Sequence, residues 1–214
     1  MTTTYAPPKR RPVAPAAGVT AGALAIMVAF TAAHEGEVRH TYVDHIGRGE
    51  PLTYCYGETV GAVAGKTYTH EECLAALHKS ALKHAQLVAP CLPAGLPDET
   101  AAGFYDIGYN VLGSTSAFCK SSMSRKALAG DLAGACDALL LYNKSKGVDC
   151  GPRKSGCYGV WARRLDEHAL CLKGLTAQAP APAPPPAPEP PTHEPKKEHP
   201  SWTSSFMRWL RSLL

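Results

Sequence analysis

Apolar and polar positions follow different rhythms along the chain. From Val13 to Ala33 no charge interrupts 21 consecutive positions, a length that can cross a bilayer as a helix. Further on, Gly47, Gly49 and Pro51 precede the β-favouring run Leu52-Thr53-Tyr54-Cys55-Tyr56, which predicts a small hairpin. The spacing then becomes helical. Thr69 with Glu72 three positions on reads as a capping box, and Leu74, Leu77, Ala81, Ala85 and Val88 share one face of a helix that ends near Pro90. Pro97-Asp98 opens another helix, through about Val111. Ser116 to Leu128 reads as one short helix stopped by Gly130, and Asp131 caps the next, with Leu132, Ala135, Cys136 and Leu139 facing inward. Tyr142 to Gly156 is a basic loop, after which Tyr158 to Leu172 is helical and ends at Gly174, with Arg163 and Glu167 spaced to pair. Many helices and one hairpin predict an α+β fold, and no internal repeat is evident.

The two ends read differently from this body. Lys9-Arg10-Arg11 lies before the apolar run, and a basic cluster on that side predicts an N-in, C-out orientation. Ala and Gly dominate the run, with only Leu24, Ile26, Met27, Val28 and Phe30 strongly apolar, so lipid would hold it weakly. A retained signal-anchor over 13–33 is one reading. A signal peptide cleaved after Thr31-Ala32-Ala33 is the other, and it would leave Glu35 second in the mature chain. At the far end, ten of the 19 prolines fall between Pro180 and Pro200, which makes 175–200 an extended spacer. In the closing stretch 201–214, Trp202, Phe206, Trp209, Leu210 and Leu213 fall on one helical face, with Arg208 and Arg211 mostly on the other. That pattern suits an interfacial helix binding membrane lipid or lipopolysaccharide, or a helix docking into a protein groove. The chain divides into a basic N-terminus 1–12, an anchor 13–33, a catalytic domain 34–174, the spacer and the terminal helix.

With 214 residues and a formal charge of +4, one core with appendages is expected. No Lys/Arg block is interleaved with aromatics, which argues against a nucleic-acid partner. Eight cysteines between Cys55 and Cys171 point to an oxidising compartment and not to zinc. If one helix spans Cys73 to Cys91, their 18-position separation amounts to about 27 Å, too far for them to pair with each other. Cys150 and Cys157 close a short Gly/Pro-containing loop and are a plausible pair. The nine histidines are scattered, with no His-x-x-x-His or Cys-x-x-Cys on a predicted helix, so neither metal nor cofactor is expected.

The chemistry concentrates between His34 and Gly57. Glu35 ends the apolar run, Asp44 sits among His45, Arg48 and turn glycines, and Thr53 lies on the following strand. Glycoside hydrolysis needs two carboxyl groups, one to protonate the leaving oxygen and one to handle the water or the anomeric carbon. An apolar neighbourhood would keep Glu35 protonated, and a wetter, cationic one would keep Asp44 ionised. Taken alone, these residues also fit ordinary surface acids. Tyr105, Tyr109 and Asn110 are candidates for the cleft wall, with Asn110 placed to contact sugar, although tyrosines at helical spacing also fit a core.

A set of ordered motifs narrows these options. Glu35-Gly36, Tyr42-x-Asp44 and Thr53-x-Cys55-Tyr56-Gly57 stand in order with Lys66-Thr67-Tyr68-Thr69-x-x-Glu72-Cys73, Tyr109-Asn110-Val111, Gly130-Asp131-x-x-Gly134-Ala135-Cys136 and Gly159-x-x-x-Arg163-Arg164-x-x-Glu167. Together they resemble the T4-type phage lysozymes of glycoside hydrolase family 24, and most closely the lambdoid SAR (signal-anchor-release) endolysins. The resemblance implies a lysozyme-like fold with a small β-hairpin beside the cleft. It also implies cleavage of the β-1,4 bond between N-acetylmuramic acid and N-acetylglucosamine, with Glu35 as general acid, Asp44 placing the water and Thr53 assisting. Peptidoglycan glycan strands would be the substrate. The protein would act as a monomer, held at the host inner membrane through 13–33 and then released to the periplasm. Three residues more than the family's usual spacing separate Asp44 from Thr53, and Leu112 interrupts its Asn-Val-Gly. A lytic transglycosylase and a non-catalytic, membrane-tethered wall-binding protein are the competing readings.

Overall fold

The structure is a computed structural model and describes residues 18–45 and 50–177. The basic N-terminus, the first residues of the apolar run (13–17), the chain from residue 178 and the helix predicted over 201–214 therefore lie outside the described residues.

From Ala21 on, the apolar run lies in helix α1 (Ala21–Glu35), opened by Thr20, whose hydroxyl oxygen accepts from the Ala23 N–H. Ala23, Leu24 and Met27 are buried in the main core. No described helix is long and apolar enough to cross a membrane. The small residues that make this run a weak membrane segment let it approach its neighbours closely. A Cβ on Gly22 would come within 1.9 Å of the Asp98 carboxylate, which accepts from the Thr20 hydroxyl at 2.6 Å. In this structure the folded region thus begins before His34, because α1 supplies part of its core.

Strands β1 (Val38–Val43) and β2 (Leu52–Cys55) form the predicted antiparallel hairpin, with Tyr42 opposite Thr53 and Val43 opposite Leu52. Helix α2 (His70–Val88) begins with both hydrogen bonds of the Thr69/Glu72 capping box. It joins two clusters. Leu77 packs with Tyr54, Tyr56 and Tyr68 beneath the hairpin, while Ala81, Ala85 and Val88 belong to the main core. A 3-10 turn over Ala89–Cys91 contains Pro90, whose missing N–H suits the end of an α-helix.

Helix α3 (Asp98–Ile107) is central, with every residue from Thr100 to Ile107 buried, and a π-helical turn over Gly108–Leu112 follows. The single helix predicted over Ser116–Leu128 is in fact two, α4 (Thr115–Cys119) and α5 (Ser122–Leu128). Ser121 restarts the chain as an N-cap, its hydroxyl accepting from the Ser124 N–H. Asp131 caps α6 (Leu132–Asp137) as expected. The predicted basic loop contains a two-residue ladder, β3 (Lys144–Ser145) with β4 (Val148–Asp149).

Helix α7 (Tyr158–Ala177) does not stop at Gly174. A Cβ there would lie 2.4 Å from Thr100 Oγ1 and 2.8 Å from its backbone N, so the glycine permits close packing of α7 on α3 instead of ending the helix. Leu175 packs against the core, and residues 175–177, expected to open the spacer, continue α7.

Cys150–Cys157 forms as expected, and Cys73 and Cys91 are in separate bridges, Cys55–Cys73 and Cys91–Cys119, beside Cys136–Cys171.

Candidate active site

Glu35 is the last residue of α1, and Gly36, at φ +69°, turns the chain toward β1. The Glu35 carboxylate accepts from Arg163 Nη1 of α7. The same guanidinium grips Asp106 of α3 at 2.8 and 2.9 Å, and Thr31 of α1 donates to Asp106 Oδ1 at 2.6 Å. Thr31, Asp106, Arg163 and Glu35 therefore form one relay across α1, α3 and α7. Asp106 and Thr31 are fully buried and Arg163 nearly so. Burial by itself would raise the Asp106 carboxyl, but hydrogen bonds and the Arg163 charge outweigh it and hold the group below its usual range. The opposing effects raise Arg163 above the ordinary guanidinium value, burial being overcome by Asp106 and Glu35.

The predicted Arg163–Glu167 pair exists at 3.7 Å, yet Glu167 makes its closer contact with Arg164. Burial, reinforced by the neighbouring Asp106 carboxylate, pushes the Glu167 carboxyl up. Three carboxyl groups surround two guanidiniums here, so Glu167 is the one placed to keep a proton. Arg164 also donates to Asn110 Oδ1 at 3.0 Å, fixing that amide on the cleft wall.

The cleft encloses about 880 Å³, and its lining includes Glu35, Tyr54, Tyr56, Glu58, Tyr109 and Asn110. Tyr105 is 3% exposed and belongs to the core, so of the three candidates on that stretch only Tyr109 and Asn110 reach the cleft. Asp44 follows β1 and keeps the ladder going, its N–H donating to Pro51 O at 3.0 Å. Thr53 is 2% exposed, and its hydroxyl donates to Pro51 O at 3.1 Å. Because Tyr42 faces Thr53 and side chains alternate along a strand, Asp44 and Thr53 share one face of the hairpin. Neither is among the residues lining the cleft that holds Glu35. The segment between them includes residues 46–49, which lie outside the described residues.

Glu35 was expected to be surrounded by apolar groups, but an arginine faces it. The desolvated carboxyl of the cleft is Glu58. Burial raises it, the hydroxyls of Ser80 and Tyr109 partly offset that, and the Glu35 charge adds to the rise. Sequence reasoning passed over both Glu58 and Asp106. For Asp106 the signal was present, an acid inside the otherwise uncharged stretch from Thr100 to Ile107, because a buried carboxylate needs a partner. For Glu58 the only cue was its place directly after Gly57. Among the described residues no group of three or more His, Cys, Asp or Glu is arranged to hold a metal ion.

A mainly helical body with a two-stranded hairpin beside a polar cleft, and an acid at a helix end in its wall, defines a lysozyme-like α+β protein. Residues 32–167 match the family described as phage lysozyme, and the chain belongs to that family. It is 33% identical over 165 residues to a SAR-endolysin of Bacteriophage PS119, covering 74% of this chain and 92% of the relative. It is 30% identical over 170 residues to the SAR-endolysin of Enterobacteria phage P21, covering 78% and 98%. Among solved structures, a P22 lysozyme variant superposes with a TM-score of 0.58 at 22% identity, covering 72% of this chain and 98% of that one. The active form of the P1 phage endolysin gives 0.56 at 20% identity, covering 74% and 97%. At those identities the structures speak to the fold.

Proposed function

We propose that this protein is an endolysin that hydrolyses the β-1,4 bond between N-acetylmuramic acid and N-acetylglucosamine in peptidoglycan, lysing the host cell. The observation that carries this reading is Glu35, fixed by Arg163 in the wall of a polar cleft. Glu35 protonates the leaving oxygen, Asp44 holds the attacking water and Thr53 assists. Asn110, oriented by Arg164, contacts the glycan. With water attacking directly, the anomeric configuration inverts, and the two carboxyl groups stand about 6.5–9.5 Å apart in the working enzyme. The test is the release of new reducing ends from purified Gram-negative peptidoglycan by the full chain, and its loss in Glu35→Gln. Products ending in 1,6-anhydro sugars would make the enzyme a transglycosylase, and undiminished lysis by Glu35→Gln would leave only a wall-binding role.

The protein acts as a monomer and exists in two places, first held N-in, C-out in the host inner membrane by 13–33 and then free in the periplasm. Its relatives' name, SAR-endolysin, supports this order of events. So does the burial of Met27 and Thr31, since a segment in lipid cannot also fill the core or bind Asp106. The tethered form is inactive because Glu35 lacks its partner Arg163. Mature protein beginning at His34 would overturn retention of the anchor. The segment 201–214 binds membrane lipid or lipopolysaccharide. An isolated peptide that stays unfolded with anionic vesicles and with lipopolysaccharide would overturn that assignment.

A further inference from the structure

The cleft holds a carboxyl to which the assignment of Glu35, Asp44 and Thr53 gives no role. Glu58 is locked through its backbone by reciprocal hydrogen bonds with Tyr54, 2.9 Å each way. Its side chain is reached from two further elements. Tyr109 Oη, in the π-helical turn, donates to Oε1 at 3.4 Å, and Ser80 of α2 stands on the same cleft wall, close enough to favour the charged carboxyl. The group is thus specified from the hairpin side, from α2 and from the turn after α3, and it still lines the cleft with Glu35. Stability does not explain this arrangement. Partial burial of a carboxyl is costly, and the partners offered are neutral hydroxyls and not a cation. The charged and titratable groups around it are Glu35 at the end of α1, Tyr109, and Lys79, Lys83 and His84 on the α2 wall. A carboxyl that retains its proton readily is both donor and acceptor, which matches a hydroxyl group that is also both.

We propose that Glu58 is a substrate-binding residue, its backbone fixed by Tyr54 and its carboxyl oriented by Tyr109, hydrogen-bonding a sugar hydroxyl of the strand that Glu35 cleaves. The proposal rests on the muramidase reading of the cleft.

The experiment uses the full chain carrying Glu35→Gln, so that bound wall persists, and measures co-sedimentation with purified peptidoglycan. Adding Glu58→Met, which keeps the volume and removes the hydrogen bonds, weakens binding about tenfold, the worth of one hydrogen bond. Glu58→Gln, which retains a donor and an acceptor, recovers most of that loss. In the enzyme with Glu35 intact, Glu58→Met raises KM by a similar factor and leaves kcat within about threefold. Equal sedimentation of the Met and Gln variants, or a fall in kcat at constant KM, overturns the proposal. Should the Met variant fail to fold, Glu58→Ala carries the same comparison. Failure of the muramidase reading appears separately, as absence of reducing ends from the wild-type enzyme, while sedimentation needs no turnover and still tests Glu58.

Discussion

On the helical side of the cleft, Glu35 is set by a relay of buried side chains running from Thr31 through Asp106 to Arg163. On the hairpin side, Tyr54 and Tyr56 line the cleft, and Asp44 and Thr53, which do not, ride on the same short ladder, held down by the Cys55–Cys73 bridge and a small tyrosine cluster. The first wall is specified by charge. Remove one partner and another is stranded without water, at a cost far above that of a surface pair. The second wall is specified by a covalent tie and by packing, and its loss loosens the hairpin while the main core stays whole. Glu35 is thereby held in a network with little tolerance for change, whereas the strand pair is tied down by one disulfide and by packing.

Perturbing each wall separately sharpens that contrast. The largest effect is on chemistry. Glu35→Gln lowers reducing-end release by about a hundredfold to ten-thousandfold, the range for losing a general acid, with only a small change in thermal unfolding, because the Gln amide oxygen still accepts from Arg163 and Asp106 still pairs it. Arg163→Ala strands Asp106, which is 0% exposed, and destabilises the fold by about 3–5 kcal/mol in urea titration. The paired change Cys55→Ser with Cys73→Ser opens a bridge spanning 18 positions and costs about 3 kcal/mol. Its signature is faster amide exchange in β1 and β2 with α3 still protected, and uniform loss of protection would show that the two walls are a single cooperative unit.

Acid should act on the helical wall. The Asp106 carboxyl titrates below its ordinary 3.8 in the fold. The stability it confers is fully present above that unfolded value and is lost as pH falls through the lower, folded one. The urea midpoint should therefore drop below about pH 4, with a shallower drop in Asp106→Asn. The smallest effect on the fold is at Gly18, where a Cβ meets nothing within 4 Å. Gly18→Leu should leave the melting temperature within a degree or two and delay lysis by strengthening membrane insertion. Gly22→Leu must also displace Asp98 from Thr20, so it disturbs docking as well. Unchanged lysis timing in Gly18→Leu would count against membrane release as the trigger.

Much of this was legible without coordinates. The Thr69/Glu72 capping box, the Asp131 cap, the hairpin after Pro51 and the Cys150–Cys157 bridge all depend on residues within a few positions of one another, and each formed as read. Glu35 and Asn110 were found because they sit in ordered motifs, and both line the cleft. The misreadings occurred where a distant neighbour overrode a local signal. Gly174 looked like a helix stop but is a contact with Thr100. Ser121 looked like helix interior but is a cap.

What the sequence settled by itself is therefore most of the elements and the acid at the end of the first helix, since capping, turn chemistry and apolar periodicity act over short stretches of chain. Only the tertiary structure decided that the Ala/Gly-rich run lies in the core, that Asp106 and Arg163 hold Glu35, and that Glu58 shares the cleft with it. Those facts depend on pairs separated by 57 positions for Arg163 and Asp106 and 128 for Arg163 and Glu35. A buried charge selects its partner by proximity in the folded chain, and no local pattern encodes that distance.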